Sequence, residues 1–160
     1  MGAGAGPFDV DLTRARDLHR AGRIAEAETL YAALAAAKPA DPELLFLRGI
    51  VAHQKGDQPE AARLIERAIR SDGGRADFWR NLAVVYDAAG NKDGALAAAR
   101  QAVAVNGGDA DAWSLLGALL LGADGDPGEA ASALTRALEC NPDHPAALGN
   151  RALLWARAGR

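Results

Sequence analysis

Cys140 and His144 stand four residues apart, a spacing that on one helix could aim a thiolate and an imidazole at a single metal ion or a single substrate atom. Pro142 lies between them and breaks any continuous helical face, so the pair reads as a joint holding a partly buried cysteine. His19 and His53 are remote from it in sequence, and a lone cysteine permits neither an intrachain disulfide nor a thiolate zinc cluster. The acid pairs Glu26/Glu28 and Asp109/Asp111 have the composition of a catalytic dyad. They fall at helix starts, where acids are favoured in any case, and no nucleophile or base accompanies them. The glycines belong to no phosphate loop with its lysine. No enzyme signature, metal set or cofactor motif is found, and the chemistry left to the chain is recognition by a surface.

The elements that must build such a surface are helices. Between Asp77 and Asn106, Trp79, Leu82, Ala83 and Tyr86 fall at three- and four-residue intervals, as do Ala95, Leu96, Ala99, Ala102 and Val103 after them. Gly90-Asn91 separates the two runs, the glycine suited to a left-handed helix end and the asparagine to capping the next helix. Two antiparallel helices with a tight turn follow. Such a pair cannot bury its apolar side alone and needs neighbours like itself.

Those neighbours lie about 34 residues away on either side. Gly22, Gly56 and Gly90 take equivalent turn positions, with Asp57 and Asn91 as the caps that follow and Arg23 as a poor substitute. Ala27, Ala61 and Ala95 recur inside the second helix, then Leu34, Ala68 and Ala102. The fourth copy keeps Trp113, Leu116, Gly117 and Leu120, but its turn glycine is Gly125, which implies one residue inserted near Leu121–Asp124 and a distorted turn or helix end there. Asp41-Pro42, Asp57 to Glu60 and Asp126 to Glu129 all read as helix starts. The expected order is a flexible tail over 1–7, a first helix from about Asp9, repeats over about 8–41, 42–75, 76–109 and 110–144, and a partial or capping helix over 145–160. That last helix is expected to pack through Leu148, Ala152 and Trp155.

The period, the Trp79/Leu82/Ala83/Tyr86 spacing and the Ala95, Ala99, Ala102 series resemble the tetratricopeptide repeat family over about residues 8–160. The family's proline near the repeat end appears as Pro39 and Pro142, with Gly73 and Gly107 in its place in the middle copies. The resemblance implies an all-α fold, a right-handed α-solenoid of antiparallel helix pairs with about nine helices. It implies further that first helices line an inner wall able to hold a peptide or protein segment.

Registered on that wall, the candidate residues are Arg16, His19 and Arg20 with Leu12, then Phe46, Ile50 and His53 with Gln54. Further along come Arg80, Asn81 and Val84 with Asp87, and then Leu121 with Ser114, Leu115 and Ala118. Asn150, Leu153 and Arg157 would extend it. Aliphatic anchors would supply affinity and arginines direction. Phe46 and Ile50 could equally thicken the seam between helices, and Arg80 could pair with Asp77 in its own helix. The family's carboxylate clamp for chaperone tails is matched by Arg80 and Asn81, but Leu12, Arg16 and Ile50 stand where its other groups belong, which argues against that ligand.

Composition sets the remaining bounds. Eighteen basic against 21 acidic side chains give a formal charge of -3 and no polybasic run, so nucleic acid is not an expected partner. No apolar run approaches a membrane span, and Met1 to Phe8 lacks a secretory signal. A cytoplasmic protein is expected, although a mature exported domain would look the same. The leading reading is a non-enzymatic interaction scaffold without cofactors. Two others stand beside it: a targeting or regulatory segment of a larger enzyme, and a homo-oligomer assembled through end helices, prompted by Leu153, Leu154 and Trp155.

Overall fold

The computed structural model describes residues 6–122 and 125–159, and every regular element among them is an α-helix. In order these are α1 (Pro7–Arg20), α2 (Ile24–Ala37), α3 (Pro42–Gln54), α4 (Gln58–Ser71), α5 (Ala76–Ala88), α6 (Lys92–Val105), α7 (Ala110–Gly122), α8 (Pro127–Cys140) and α9 (Pro145–Ala158). They fall into two compact units, Met1–Asp72 and Gly73–Arg160. Within each unit, odd- and even-numbered helices pair across short turns.

The turn chemistry explains the pairing. Gly22, Gly56 and Gly90 have φ of 76°, 83° and 78°, a left-handed conformation that costs a Cβ-bearing residue strain. The residue after each then closes the helix end, with Arg23, Asp57 and Asn91 donating their backbone N–H to Leu18, Ala52 and Tyr86 carbonyls at 2.9 Å. That residue is also the N-cap of the next helix. Asp57 and Asn91 accept from the N–H groups of Glu60 and Gly94, whereas Arg23 makes no cap and pairs with Glu26 instead.

The fourth turn separates these two tasks. Gly125 donates to the Leu120 carbonyl at 3.0 Å, as Asn91 does to Tyr86 one period earlier, but it is Asp126 that caps α8 through the Gly128 N–H. Closing donor and cap, a single residue in the earlier turns, are here the adjacent residues Gly125 and Asp126. Helix α7 is described over 13 residues as far as Gly122, and the place of the expected distortion, its end and the turn after it, runs into residues outside the described ones. Ala123 and Asp124, part of the segment assigned to the insertion, lie outside the described residues.

Unit 1 is held by Ala15, Ala27, Tyr31, Leu34, Leu44 and Val51, with Leu12, Leu18, Ile24 and Leu30 packed around them. Unit 2 buries Phe78, Leu82 and Val85 of α5, Ala95, Ala98, Ala99 and Ala102 of α6, Leu116 and Leu120 of α7, and Leu134 of α8. The facing positions inside successive pairs trade size: Gly49 meets Ile65, Ala83 falls in register with Ala99, and Gly117 meets Leu134. A Cβ on Gly49 would stand 2.6 Å from Ile65 Cγ1, and one on Gly117 would stand 2.7 Å from Leu134 Cγ. A glycine is tolerated in mid-helix because the partner helix brings a branched side chain against its bare backbone.

The aromatic stripe differs from the expected one. Trp79 is only partly buried, and the fully buried aromatic is its neighbour Phe78. Trp79 and Trp113 lie alike at the rim, each donating its indole N–H to a glycine carbonyl six residues earlier, Gly73 at 3.0 Å and Gly107 at 2.9 Å. Helix α9 also differs. Its buried residues are Ala147 and Leu154, while Leu148 and Trp155 are exposed, and Cys140 is exposed rather than partly buried.

Tyr31 carries a pH dependence. Burial disfavours its phenolate and pushes its pKa up to about 12. The unfolded chain would release that proton near pH 10, so between about 10 and 12 the folded state holds more protons than the unfolded one and loses stability as pH rises. Urea unfolding midpoints are expected to fall over that range in the native chain and to fall less in Tyr31→Phe.

Candidate functional site

In unit 1 the wall candidates come from α1 and α3, which are joined by two side-chain contacts. Arg16 Nη1 lies 3.7 Å from Glu43 Oε1, and His19 Nε2 lies 3.0 Å from Gln54 Oε1. The other nitrogen of His19 meets the Tyr31 hydroxyl at 3.3 Å. A neutral ring satisfies both contacts, with Tyr31 donating to Nδ1 and Nε2–H donating to Gln54. His53 Nδ1 lies 2.7 Å from Gln58 Oε1, which fixes its proton on Nδ1. Both nitrogens of His19 are thereby engaged, and one of His53.

Arg16 keeps half its side chain exposed, and Arg20, paired at 2.9 Å with Asp17, keeps more. Ile50 and His53 are half-buried beside them, and Phe46 is buried. Phe46 therefore offers little open surface to a ligand. Unit 1 thus offers two loosely paired guanidinium groups with part of an isoleucine and a histidine, on the first helices as expected.

Unit 2 treats its candidates differently. Arg80 does not pair with Asp77, which is taken by Arg75 at 2.6 Å. It reaches α7 instead, with Nη1 3.0 Å from Asp109 Oδ2 and 3.1 Å from Asp111 Oδ2. Asn81 spends its amide on the Asp77 carbonyl at 2.8 Å. Leu121 is buried, and its carbonyl accepts from Arg157 of α9 at 2.7 Å, a cation at the end of α7 where the helix dipole favours one. Val84 alone of the four stays open, 37% exposed.

Arg80 belongs to a network that spacing did not reveal. Asp109 caps α7 through the Ala112 N–H at 3.1 Å while holding Arg80. His144, buried, caps α9 by accepting the Ala147 N–H on Nδ1, so its proton is on Nε2 and goes to Asp111 Oδ1 at 2.9 Å. Arg80, Asp109, Asp111 and His144 thereby tie α5, α7 and α9 together at their starts. The imidazole beside a carboxylate has both nitrogens engaged, one by the cap and one by Asp111, and the arrangement holds the helix starts in place. One signal was available in the sequence: Asp41, Asp109 and His144 fall in one repeat column, the column of helix caps.

Unit 1 also has a cleft of about 210 Å³, lined by Tyr31, Val51 and Leu64 together with Glu28, Arg48, Lys55 and Glu60. Lys55 bridges it to Glu28 at 2.8 Å. It is too small to enclose more than part of a drug-sized ligand. Among the described residues no group of three or more His, Cys, Asp or Glu side chains could hold a metal ion, and no helix is long and apolar enough to cross a membrane.

A family model for the tetratricopeptide repeat matches residues 12–76 and 115–160, and a second model of the same repeat matches residues 52–119. No curated protein sequence matches the chain. Among solved structures, the chain is similar to one in the APC/C hetero-tetramer Cut9-Hcn1, with a TM-score of 0.83 and 23% identity over 90% of this chain, and it spans 29% of that one's length. It is similar to YrrB, described as a TPR protein with an unusual peptide-binding site, with a TM-score of 0.76 and 23% identity over 93% of this chain and 76% of the other. It is similar also to the first TPR of Spaghetti (RPAP3) bound to the HSP90 peptide SRMEEVD, with a TM-score of 0.71 and 21% identity over 75% of this chain and 94% of the other. Identities at this level speak for the fold, which is the expected all-α solenoid class of helix pairs. With paired helices in one repeating register and repeat models covering more than half of the sequence, the chain belongs to the tetratricopeptide repeat family.

Proposed function

We propose that the chain is a non-enzymatic protein-interaction scaffold that holds a peptide or protein segment against the first-helix faces of its repeats. The observation that carries this reading is the repeat register itself, in a fold shared with proteins whose structures are described as peptide-binding or peptide-bound. The α1 and α3 face of unit 1 supports it best. Arg16 and Arg20 are exposed there, Arg20 paired with exposed Asp17, a kind of pair worth at most about 1 kcal/mol, and Arg16 only 3.7 Å from the half-covered Glu43. A partner's acids can replace Asp17 and Glu43 at little cost. The preferred segment is therefore acidic, with an aliphatic anchor for Ile50. Arg80 and Phe46 are poor choices for a test, because one braces α7 and the other is buried.

Peptides selected from a random display library on the whole chain are expected to be enriched in Asp and Glu. They should bind Arg16→Glu/Arg20→Glu at least about tenfold more weakly, with the circular dichroism of the variant unchanged. Selected peptides that bind the double variant as well as the native chain would refute the assignment. A cytoplasmic setting accompanies this reading.

A further inference from the structure

The cleft of unit 1 departs from the repeat at two positions. Arg48 stands one period before Leu82 and two before Leu116, each 3% exposed, so a guanidinium takes a place that buried leucine holds in the following repeats. Ala52 stands where those repeats have Tyr86 and Leu120, so a methyl group takes a place that large side chains fill. Both residues line the cleft, and both are half-buried. Its apolar wall is Val51 and Leu64 with Tyr31, whose hydroxyl is engaged by His19. Bulk is missing at one position, and one turn away on α3 a cation replaces bulk at the other.

The other charged groups of the cleft have partners. Glu28 holds Lys55 at 2.8 Å, both oxygens of Glu60 accept from Arg63 at 2.7 Å, and Asp57 accepts the Glu60 N–H at 3.1 Å as the cap of α4. Among the described residues the Arg48 guanidinium makes no hydrogen bond and no ion pair. Its field still reaches Glu60, whose carboxyl is held below its usual range first by the bond from Arg63 and also by Arg48. A half-buried guanidinium presents parallel N–H donors that a carboxylate matches with its two oxygens. A phosphate would bring a second negative charge among Glu28, Asp57 and Glu60, which favours the singly charged ligand. Room decides the rest: an apolar cavity of about 150 Å³ takes benzene, so about 210 Å³ admits a hydrocarbon body of about six carbons.

We infer that the cleft between α2, α3 and the start of α4 binds a small monocarboxylic acid, its carboxylate on Arg48 and its branched hydrocarbon body against Ala52, Val51 and Leu64. This site uses neither Arg16 nor Arg20, so it and the recognition proposed above stand or fall separately. The probe is isovalerate, with isovaleramide as its uncharged counterpart. Titrated into the whole chain, the acid is expected to move the methyl resonances of Val51 and Leu64 saturably, with a Kd of about 1 mM, and the amide to bind at least about tenfold more weakly. Arg48→Leu copies Leu82 and Leu116, and Ala52→Tyr copies Tyr86; each should keep the native circular dichroism and bind the acid at least about tenfold more weakly. The comparison of acid with amide is made on the native chain and does not depend on either variant folding. No saturable movement at tens of millimolar acid, equal binding of acid and amide, or unchanged affinity in either folded variant would overturn the inference. So would tighter binding of N-acetyl-leucine than of isovalerate, which would give the cleft to the end of a peptide chain.

Discussion

Truncating Phe78 to alanine is expected to cost about 3–5 kcal/mol, a large share of what a unit of this size has to lose. The ring is completely buried, and Arg75 lies over it at 4.2 Å. The residues that α6, the helix paired with α5, buries are Ala95, Ala98, Ala99 and Ala102, side chains too short to reach far into a vacated volume. The cavity should persist, which puts the cost at the upper end of such substitutions. Urea unfolding and amide exchange in α5 and α6 measure it. The same truncation at Trp79, at the rim of the packed face, should cost distinctly less, and equal losses at the two positions would mean that the rim tryptophan is the true anchor.

The second large effect lies at the size trade inside the α7–α8 pair. Leu134→Ala removes a completely buried side chain and should cost about 2–5 kcal/mol. Gly117→Ala places a methyl 2.7 Å from Leu134 Cγ, an overpacking cost of about 1–3 kcal/mol that the better helix propensity of alanine offsets by at most about 1 kcal/mol. Together the two changes imitate Ala83 and Ala99 of the preceding repeat, so the double variant should be more stable than the sum of the single losses, by roughly 1 kcal/mol or more. Additive losses would mean that the two positions do not share one contact. The exchange of bulk across the seam also explains how one backbone repeat accepts such different sequences.

What was legible in the sequence was whatever backbone geometry enforces. Gly22, Gly56 and Gly90 had to be left-handed and are, Asp57 and Asn91 had to cap and do, and the helices they bound follow from those two facts. Which of two adjacent apolar residues faces inward was not legible. Phe78, Leu82 and Val85 keep helical spacing as well as Trp79, Leu82 and Tyr86 do, and only the column Leu44, Phe78, Ala112 and Ala147, buried throughout, separates the alternatives. Helix α9 shows the same limit: Trp155 continues the stripe in sequence, but the stripe is buried only where a second helix covers it.

The candidate site was legible as positions and not as availability. Arg80 is on the first-helix face where it was expected, but Asp109 and Asp111 come from a helix about 30 residues on, and no pattern within one helix announces that they will claim its guanidinium. His144 was read with Cys140 because the two are near in sequence. Its partners are the Ala147 N–H, which its capping position explains, and Asp111, which only the packing of α7 against α9 brings within reach. Arg16 and Arg20 keep about half and about three quarters of their side chains exposed, each beside one carboxylate, Glu43 at 3.7 Å and Asp17 at 2.9 Å.

Recognition through the first-helix faces is tested most directly by amide chemical-shift mapping of the whole chain titrated with a library-selected acidic peptide. The expected result is a saturable set of perturbations on α1 and α3 centred on Arg16, Arg20, Ile50 and His53, with α2 and α4 largely unmoved. Perturbations confined to α2 and α4 would contradict it.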